Sequence, residues 1–538
     1  MVAILAVCAL SATLCLLYVY GPTPINGADD YIYYNLARDL LLPGGFHIVA
    51  KAGVLAQQFI LLYGIALFYY ILGVSGFSSS IFGILSVALT SVALYKVGSV
   101  YYGRDAGILA AFFYSFSPLP AIYGPVVGDN TPMALIITLA VMLMVMGRRD
   151  EGTLKGATYT FLSGFCGVIG MLVTSQSIII LPLLCLMLLY YIARPAVRRK
   201  ASASIIAALP FAAGMAAAAC VVAAAGYLSG NGPLYIFTLN SGIYASNGSS
   251  APQIQNYLEW LFPYGIVAKV TAGAADIVAA PSLQSLGQLL YGIITLDPSQ
   301  PFLYEAGFFG YAGIISAAYL LARRQRHLAL PALWLLTTLL YLSYGTVSLS
   351  SYISIGYAYP RFGLIYEPAL AMLIGFGVAA FLRVRRNGLL GSAMRGFCYG
   401  LVIILFLNSL SLIKYVNTSQ YVDVVPLRQI GAYIDTLPAG SVVYDNGIPI
   451  DAYVTRSIRV VRLPPQFYQS NCSAITPGTY IVIPQNISLQ ESCMLETVFS
   501  PHGNTTLMGY YGIFLNATFQ QPYNLRLYYY SGLHIPQG

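Results

Sequence analysis

The chain has 538 residues, of which 58% are hydrophobic and only 8% charged, with a formal net charge of +8. A soluble globular protein carries about 25% charged residues, so this composition excludes a water-soluble enzyme with a large core. Nor does the excess of base point to nucleic acid, because 14 of the 26 Lys and Arg fall in four short clusters between apolar runs.

Those apolar runs approach 20 residues and recur from Ile4 to Ile413, the length that carries a helix across a bilayer. Lipid offers the backbone no hydrogen-bond partners, so only helices or a closed barrel can span it. The runs are continuous rather than alternating, which selects helices. The basic clusters are Arg148, Arg149 and Lys155; Arg194, Arg198, Arg199 and Lys200; Arg323, Arg324 and Arg326; and Arg383, Arg385, Arg386 and Arg395. Cationic loops resist translocation, so each cluster marks a cytoplasmic loop.

In chain order, Val2 to Tyr20 lacks a basic leader and a cleavage site, and reads as an anchoring helix with a cytoplasmic N-terminus. Further spans are predicted at 78–97, 106–123, 131–147, 157–176, 177–193, 203–228, 305–322, 328–345, 362–382 and 396–413, about eleven in all. The run 53–73 would make the crossing count odd. It is read as a helix lying along or dipping into the outer interface, where Gln57, Gln58 and its tyrosines belong. This arrangement puts all four clusters on one side and 21–77, 124–130, 229–304, 346–361 and everything after Lys414 on the other.

Six Asn-x-Ser/Thr sequons, at Asn247, Asn417, Asn471, Asn486, Asn504 and Asn516, all fall on the predicted outer side, where the tripeptide can be glycosylated. Six of the eight cysteines (Cys8, Cys15, Cys166, Cys185, Cys220 and Cys398) sit in apolar helices and read as small buried hydrophobes. Cys472 and Cys493 lie in the outer tail, where oxidising conditions permit a disulfide. The expected organisation is a transmembrane domain over 1–413 and a polar α/β domain over 414–538. In the tail, a helix at 424–437 precedes strands at Ser441–Tyr444, Ile458–Leu463, Thr479–Ile483, Gly509–Phe514 and Leu525–Tyr530. An outer surface with this many sequons fits an integral plasma-membrane protein in an archaeal or eukaryotic setting, and the short loops and compact size favour an archaeon.

Candidate chemistry lies in the outer loops. Asp29 and Asp30 stand side by side in a chain with only 18 acidic residues. Pairing like charges raises one of the two affinities for a proton, which suits a general base toward a hydroxyl or amine. The competing reading is an N-cap for a helix starting near Tyr31. Asp129 is the only charge between Asp105 and Arg148. It either caps the helix beginning at Thr131-Pro132 or joins Asp29 and Asp30 in one outer cavity. There the three would orient an acceptor or hold a divalent cation through oxygen ligands. No His/Cys metal pattern is present. Arg361 sits at the outer end of a helix, where positive-inside topology does not explain it. Its guanidinium either binds a phosphate bidentately or snorkels to headgroups with Glu367 as partner.

These positions resemble the GT-C glycosyltransferases, in particular the protein O-mannosyltransferase and aminoarabinose transferase group. Asp29-Asp30-Tyr31 with Ala37-Arg38 is similar to that group's first outer loop, although the family pair is Asp-Glu. Tyr102-Gly103-Arg104-Asp105 followed by Phe116-Ser117-Pro118 and Asp129 matches the next elements in order, and Arg361-Phe362 leading to Pro368 matches a later one. The resemblance implies inverting transfer from a polyprenyl- or dolichyl-phosphate sugar, with Asp29 as base, Asp30 assisting and Arg361 near the donor phosphate. The family's Pro-Pro-Leu stretch is replaced here by residues that include His47 and Lys51, which are candidates for contacting an anionic donor. Expected partners are a lipid-linked sugar donor, a protein or lipid/glycan acceptor and membrane lipids. Three alternatives stand beside this reading. An oligosaccharyltransferase-like enzyme would carry a Trp-Trp-Asp motif in its tail, whereas the tryptophans here are Trp260 and Trp334. A transporter or lipid-sugar flippase would place charges near the bilayer midplane, and the helix interiors are nearly charge-free. A non-catalytic assembly factor would not need the outer carboxylates.

Overall fold

The computed structural model describes residues 28–50, 58–192, 201–230, 232, 309–344 and 360–383, and scattered positions between 392 and 407. In the tail it describes 427–445, 454, 458–462, 478–484, 503–511 and 525–533. For some of these, including Asp29, Arg361 and the last two segments, only the backbone is described. The chain divides into a helical unit (Met1–Pro22, Ile32–Val74 and Ser78–Val416) and a smaller unit (Thr23–Tyr31, Ser75–Phe77 and Asn417–Gly538). The first predicted span, Val2–Tyr20, lies outside the described residues, as do Lys51, Cys472, Cys493, Asn247, Asn417, Asn471, Asn486 and Asn516.

The described helices are α1 (Ala28–Asp39), α2 (Gly45–Ala50), α3 (Phe59–Leu72), α4 (Gly76–Tyr101), α5 (Arg104–Ser115), α6 (Pro118–Tyr123) and α7 (Asn130–Arg149). They continue with α8 (Leu154–Ile169), α9 (Ile180–Ile192), α10 (Ala201–Leu228), α11 (Phe309–Ala322), α12 (Ala329–Tyr344) and α13 (Glu367–Leu382). Among the described residues three stretches are long and apolar enough to cross a membrane: Gly76–Tyr101, Asn130–Arg149 and Ala208–Leu228.

Local chemistry sets the boundaries. The predicted span 106–123 is two helices, because Pro118 disfavours helical backbone at the residue before it. Ser117 accordingly adopts φ −68° and ψ 143°. Thr153 starts α8 by accepting a hydrogen bond from the Gly156 N–H at 3.0 Å, an N-cap worth about 1 kcal/mol. Helix α3 has 14 residues, a rise of roughly 21 Å against a hydrocarbon core of about 30 Å. Tyr69 OH and Ser79 Oγ bond at 2.8 Å, and Gly64 meets the Phe82 ring. That register sets α3 antiparallel to the start of α4. Among the described residues, three of the predicted helix cysteines are less buried than expected, with Cys166 and Cys185 half-buried and Cys220 exposed. On a helix face turned toward lipid, exposure carries no penalty for an apolar side chain.

Helix α13 is the centre of the unit. Every residue from Glu367 to Ala379 is buried, as befits a helix apolar all round. It packs on α5, α11 and α12, with Trp334, Tyr366 and Phe376 fully enclosed. Close approach requires a small residue: a Cβ on Gly375 would come within 2.5 Å of the Ala110 backbone nitrogen. Small residues serve this role between membrane helices, where dispersion rather than water drives association. Gly375→Val is therefore expected to destabilise the bundle by about 1–3 kcal/mol, read as a lower thermal midpoint in detergent. An unchanged midpoint would mean the contact yields easily.

The smaller unit contains a helix at 427–434 and a five-stranded sheet in the order β2-β1-β3-β5-β4. Strands β1 (Val442–Asp445), β2 (Arg459–Arg462) and β3 (Thr479–Pro484) are parallel, while β5 (Leu525–Leu533) pairs antiparallel with β3 and with β4 (Gly503–Tyr511). Leu427, Ile430, Ile434 and Leu437 fall at helical spacing and pack on Val443 and Val482. The strands occupy the predicted positions, with β4 starting six residues earlier than the predicted Gly509, and Asn504 lies within β4.

Candidate functional site

The paired carboxylates lie within α1, which begins at Ala28 rather than near Tyr31. Asp29 and Asp30 are thus in the first turn, not at a cap, where the helix N-terminus favours negative side chains. Neighbouring residues on a helix do not face each other. Asp30 is 5% exposed and is engaged in an interaction of its own.

Asp129 occupies the N-cap position of α7, but its side chain makes no capping hydrogen bond. Asp129 is engaged in another interaction instead. The loop 124–129 that carries it is set by α4. A Cβ on Gly83 would collide with the Gly124 carbonyl and come within 3.2 Å of Thr131 Oγ1.

Arg361 is the second residue of a 3₁₀ helix, Pro360–Ile365, that runs into α13. Leu364 of this segment packs with Leu119 of α6 and Ala134 of α7. The Arg361 backbone and the Asp129 loop therefore belong to the same end of the bundle, while the basic Arg148 and Arg149 stand in the last turn of α7. The second turn of α1 reaches this end as well: the Tyr34 ring packs edge-on against Tyr69 at 5.9 Å, and Tyr69 bonds Ser79 one turn before Gly83. His47 is exposed in α2, and His47 borders Phe46, which stacks on Phe59.

Glu367, offered above as a counter-ion for Arg361, accepts a short hydrogen bond from the hydroxyl of Ser117. Both side chains are fully buried, and Oε2 of Glu367 has no partner among the described residues. The bond ties the Ser-Pro break before α6 to the first turn of α13, so it fixes both neighbours of the 124–129 loop and the Arg361 segment. Ser117→Ala would leave the carboxyl buried without its donor, at a cost of about 1–3 kcal/mol. Glu367→Gln, which keeps an acceptor, is expected to cost less. Equal thermal midpoints for wild type and Ser117→Ala would show that the bond carries no stability.

Among the described residues no three His, Cys, Asp or Glu side chains come together as a metal site.

A helical bundle with these loops and a small appended α/β unit defines a class: polytopic membrane proteins of the GT-C architecture. The crystal structure of ArnT from Cupriavidus metallidurans bound to undecaprenyl phosphate is similar at TM-score 0.53 and 10% identity, covering 99% of this chain and 98% of that one. The apo form of the same protein gives 0.50 at 10% identity, with 97% of each chain covered. An Archaeoglobus fulgidus oligosaccharyltransferase, in complex with Zn and sulfate, gives 0.50 at 13% identity. That match covers 85% of this chain but only 62% of the other. Such identities speak for the fold alone. In sequence, residues 58–227 match the model of the dolichyl-phosphate-mannose-protein mannosyltransferase family. No curated protein matches significantly. The fold is therefore that of the GT-C glycosyltransferases, and the family match covers about a third of the chain.

Proposed function

We propose that this protein moves a sugar from a polyprenyl- or dolichyl-phosphate carrier to an acceptor hydroxyl or amine, inverting the anomeric centre. The acceptor atom attacks the anomeric carbon, and its proton passes to the Asp29 carboxylate. The bond from that carbon to the phosphate oxygen breaks, and the lipid phosphate leaves with the electron pair. Asp30 holds the first turn of α1, Asp129 orients the acceptor, and Arg361 stabilises charge growing on the phosphate. His47 and Lys51 contact the anionic donor from the same loop. The orientation in this proposal has the N-terminus in the cytoplasm, about eleven spans, and the glycosylated 414–538 domain with its Cys472–Cys493 disulfide outside.

The observation that carries the reading is the packing of Leu364 on Leu119 and Ala134, which puts the Arg361 segment and the Asp129 loop at one end of the helical unit. It is supported by a fold whose neighbour was crystallised with undecaprenyl phosphate. The test is an assay of the purified chain with a panel of polyprenyl-phosphate sugars, following acceptor-dependent release of lipid phosphate and the anomeric configuration of the product. Transfer with inversion supports the proposal. Lipid-linked sugar returned intact on the opposite leaflet would replace it with a flippase. Binding of a divalent cation by Asp29, Asp30 and Asp129 is a separate part of the proposal. Activity lost on chelation and restored by added cation supports that part, and activity indifferent to chelation removes it.

A further inference from the structure

The basic end of the helical unit holds a hollow that the transfer reading does not use. The turn between α4 and α5, the turn after α11 and the end of α13 meet there around a pocket of about 260 Å³. Its walls are Tyr102, Tyr319, Arg323, Gln325, His327 and Arg383, with Ala380 completing them.

Aromatic rings hold the cations in place. The Arg383 guanidinium lies over the Tyr102 ring, 5.0 Å from its centroid, and donates a long hydrogen bond to the Tyr102 carbonyl at 3.4 Å. Tyr102 is backed by Phe376, stacked at 5.0 Å, and His327 stands edge-on to it at 4.9 Å. Arg323 lies over Tyr319 at 5.6 Å. Gly103 permits the arrangement. Its φ is +120°, and a Cβ there would come within 2.8 Å of Arg383 Nη2.

Positive-inside topology asks only that basic residues sit in these loops, and arginines at helix C-termini are favoured by the dipole whether or not they face a hollow. Neither accounts for two guanidiniums from different elements laid on tyrosines around one pocket. No wall residue is acidic. Among the described residues neither Arg323 nor Arg383 has an ion pair. Burial, and then the charge of Arg383, hold the His327 pKa below its ordinary value, opposed by a hydrogen bond to the Tyr101 backbone.

We infer that this pocket binds a phosphate group. Guanidinium forks match phosphate oxygens bidentately, and the Gln325 amide and tyrosine hydroxyls add neutral donors. The volume falls just below the roughly 300–1,000 Å³ of sites for drug-sized ligands, which suits a headgroup-sized anion rather than an extended molecule. At a bilayer surface such a group comes from a lipid headgroup or from a soluble phosphate.

The full-length protein in nanodiscs tests this. Native mass spectrometry would follow retention of phosphatidic acid against a phosphatidylcholine background, and ³¹P line broadening would follow inorganic phosphate. Wild type is expected to retain one phosphate-bearing ligand, and Arg383→Gln to weaken retention about tenfold or more. Arg383→Lys keeps the charge and the topology but loses the fork, so it should also weaken retention. Retention of the lipid alone assigns the pocket to a headgroup, and equal binding of inorganic phosphate assigns it to a soluble anion. Both support a phosphate site. No retention by wild type, or equal retention by wild type and both variants, overturns it.

Discussion

Asp29→Asn is expected to lower kcat/KM for sugar transfer by about 10²–10⁴-fold, the range lost with a general base, while expression and the thermal midpoint stay near wild type. Asparagine matches aspartate in size but cannot accept the acceptor's proton. Asp29 lies in the first turn of α1, where an isosteric amide disturbs little of the fold. Asp30→Asn makes the comparison informative. Asp30 is buried and engaged, so its loss should appear in stability as well as rate. If Asp30→Asn alone abolished transfer with stability intact, the base would be Asp30 and the roles would exchange. Asp129→Asn should act through positioning, raising KM for the acceptor more than it lowers kcat. Full activity in both Asp29→Asn and Asp129→Asn would end the mechanism.

Arg361→Lys should reduce kcat and kcat/KM together by about 10²–10³-fold, the cost of removing one preorganised donor to developing charge. Equal loss in the two parameters marks an interaction made only in the transition state. Lysine retains the positive charge but presents a point donor in place of a planar fork, so a simple headgroup anchor would tolerate the change. The 3₁₀ segment that holds Arg361 is braced through Leu364 against Leu119 and Ala134, so folding is expected to persist. A loss confined to donor KM would instead assign Arg361 to ground-state binding.

Much of the architecture was legible because it is written in local pattern. The apolar run predicted at 131–147 is helix Asn130–Arg149, and the strand predicted at Thr479–Ile483 is Thr479–Pro484. Hydrophobic length and alternation decide such elements one segment at a time. Breaks were harder to read. Pro118 splits the run 106–123, and the boundary predicted between 176 and 177 is a stretch of 3₁₀ segments, Gly170–Leu172 and Ser175–Ile179. Each is marked only by a few polar residues or a proline, Ser117-Pro118 in the first and Thr174-Ser175-Gln176-Ser177 in the second, too short a signal to fix the local geometry.

The site was legible only in part, for a different reason. Asp129 and Arg361 stood out because charge is scarce in this chain, and scarcity is visible in sequence. Ser117 and Glu367 were each in view, but their bond spans 250 positions, and no single-sequence pattern reports so distant a partner. Proximity offered Glu367 as a possible partner of Arg361, whereas tertiary packing brings it the Ser117 hydroxyl. The basic pocket was hidden in the same way. Its arginines were visible as topology signals, whereas the hollow they face exists only once three loops meet.

The most direct measurement is a cryo-electron microscopy map of the full-length protein in nanodiscs containing polyprenyl phosphate. The account predicts phosphate density within hydrogen-bond reach of the Arg361 guanidinium, in a cavity that also exposes the Asp29 carboxylate. Asp29 and Arg361 on opposite faces of the bilayer, or a phosphate seated away from both, would contradict it.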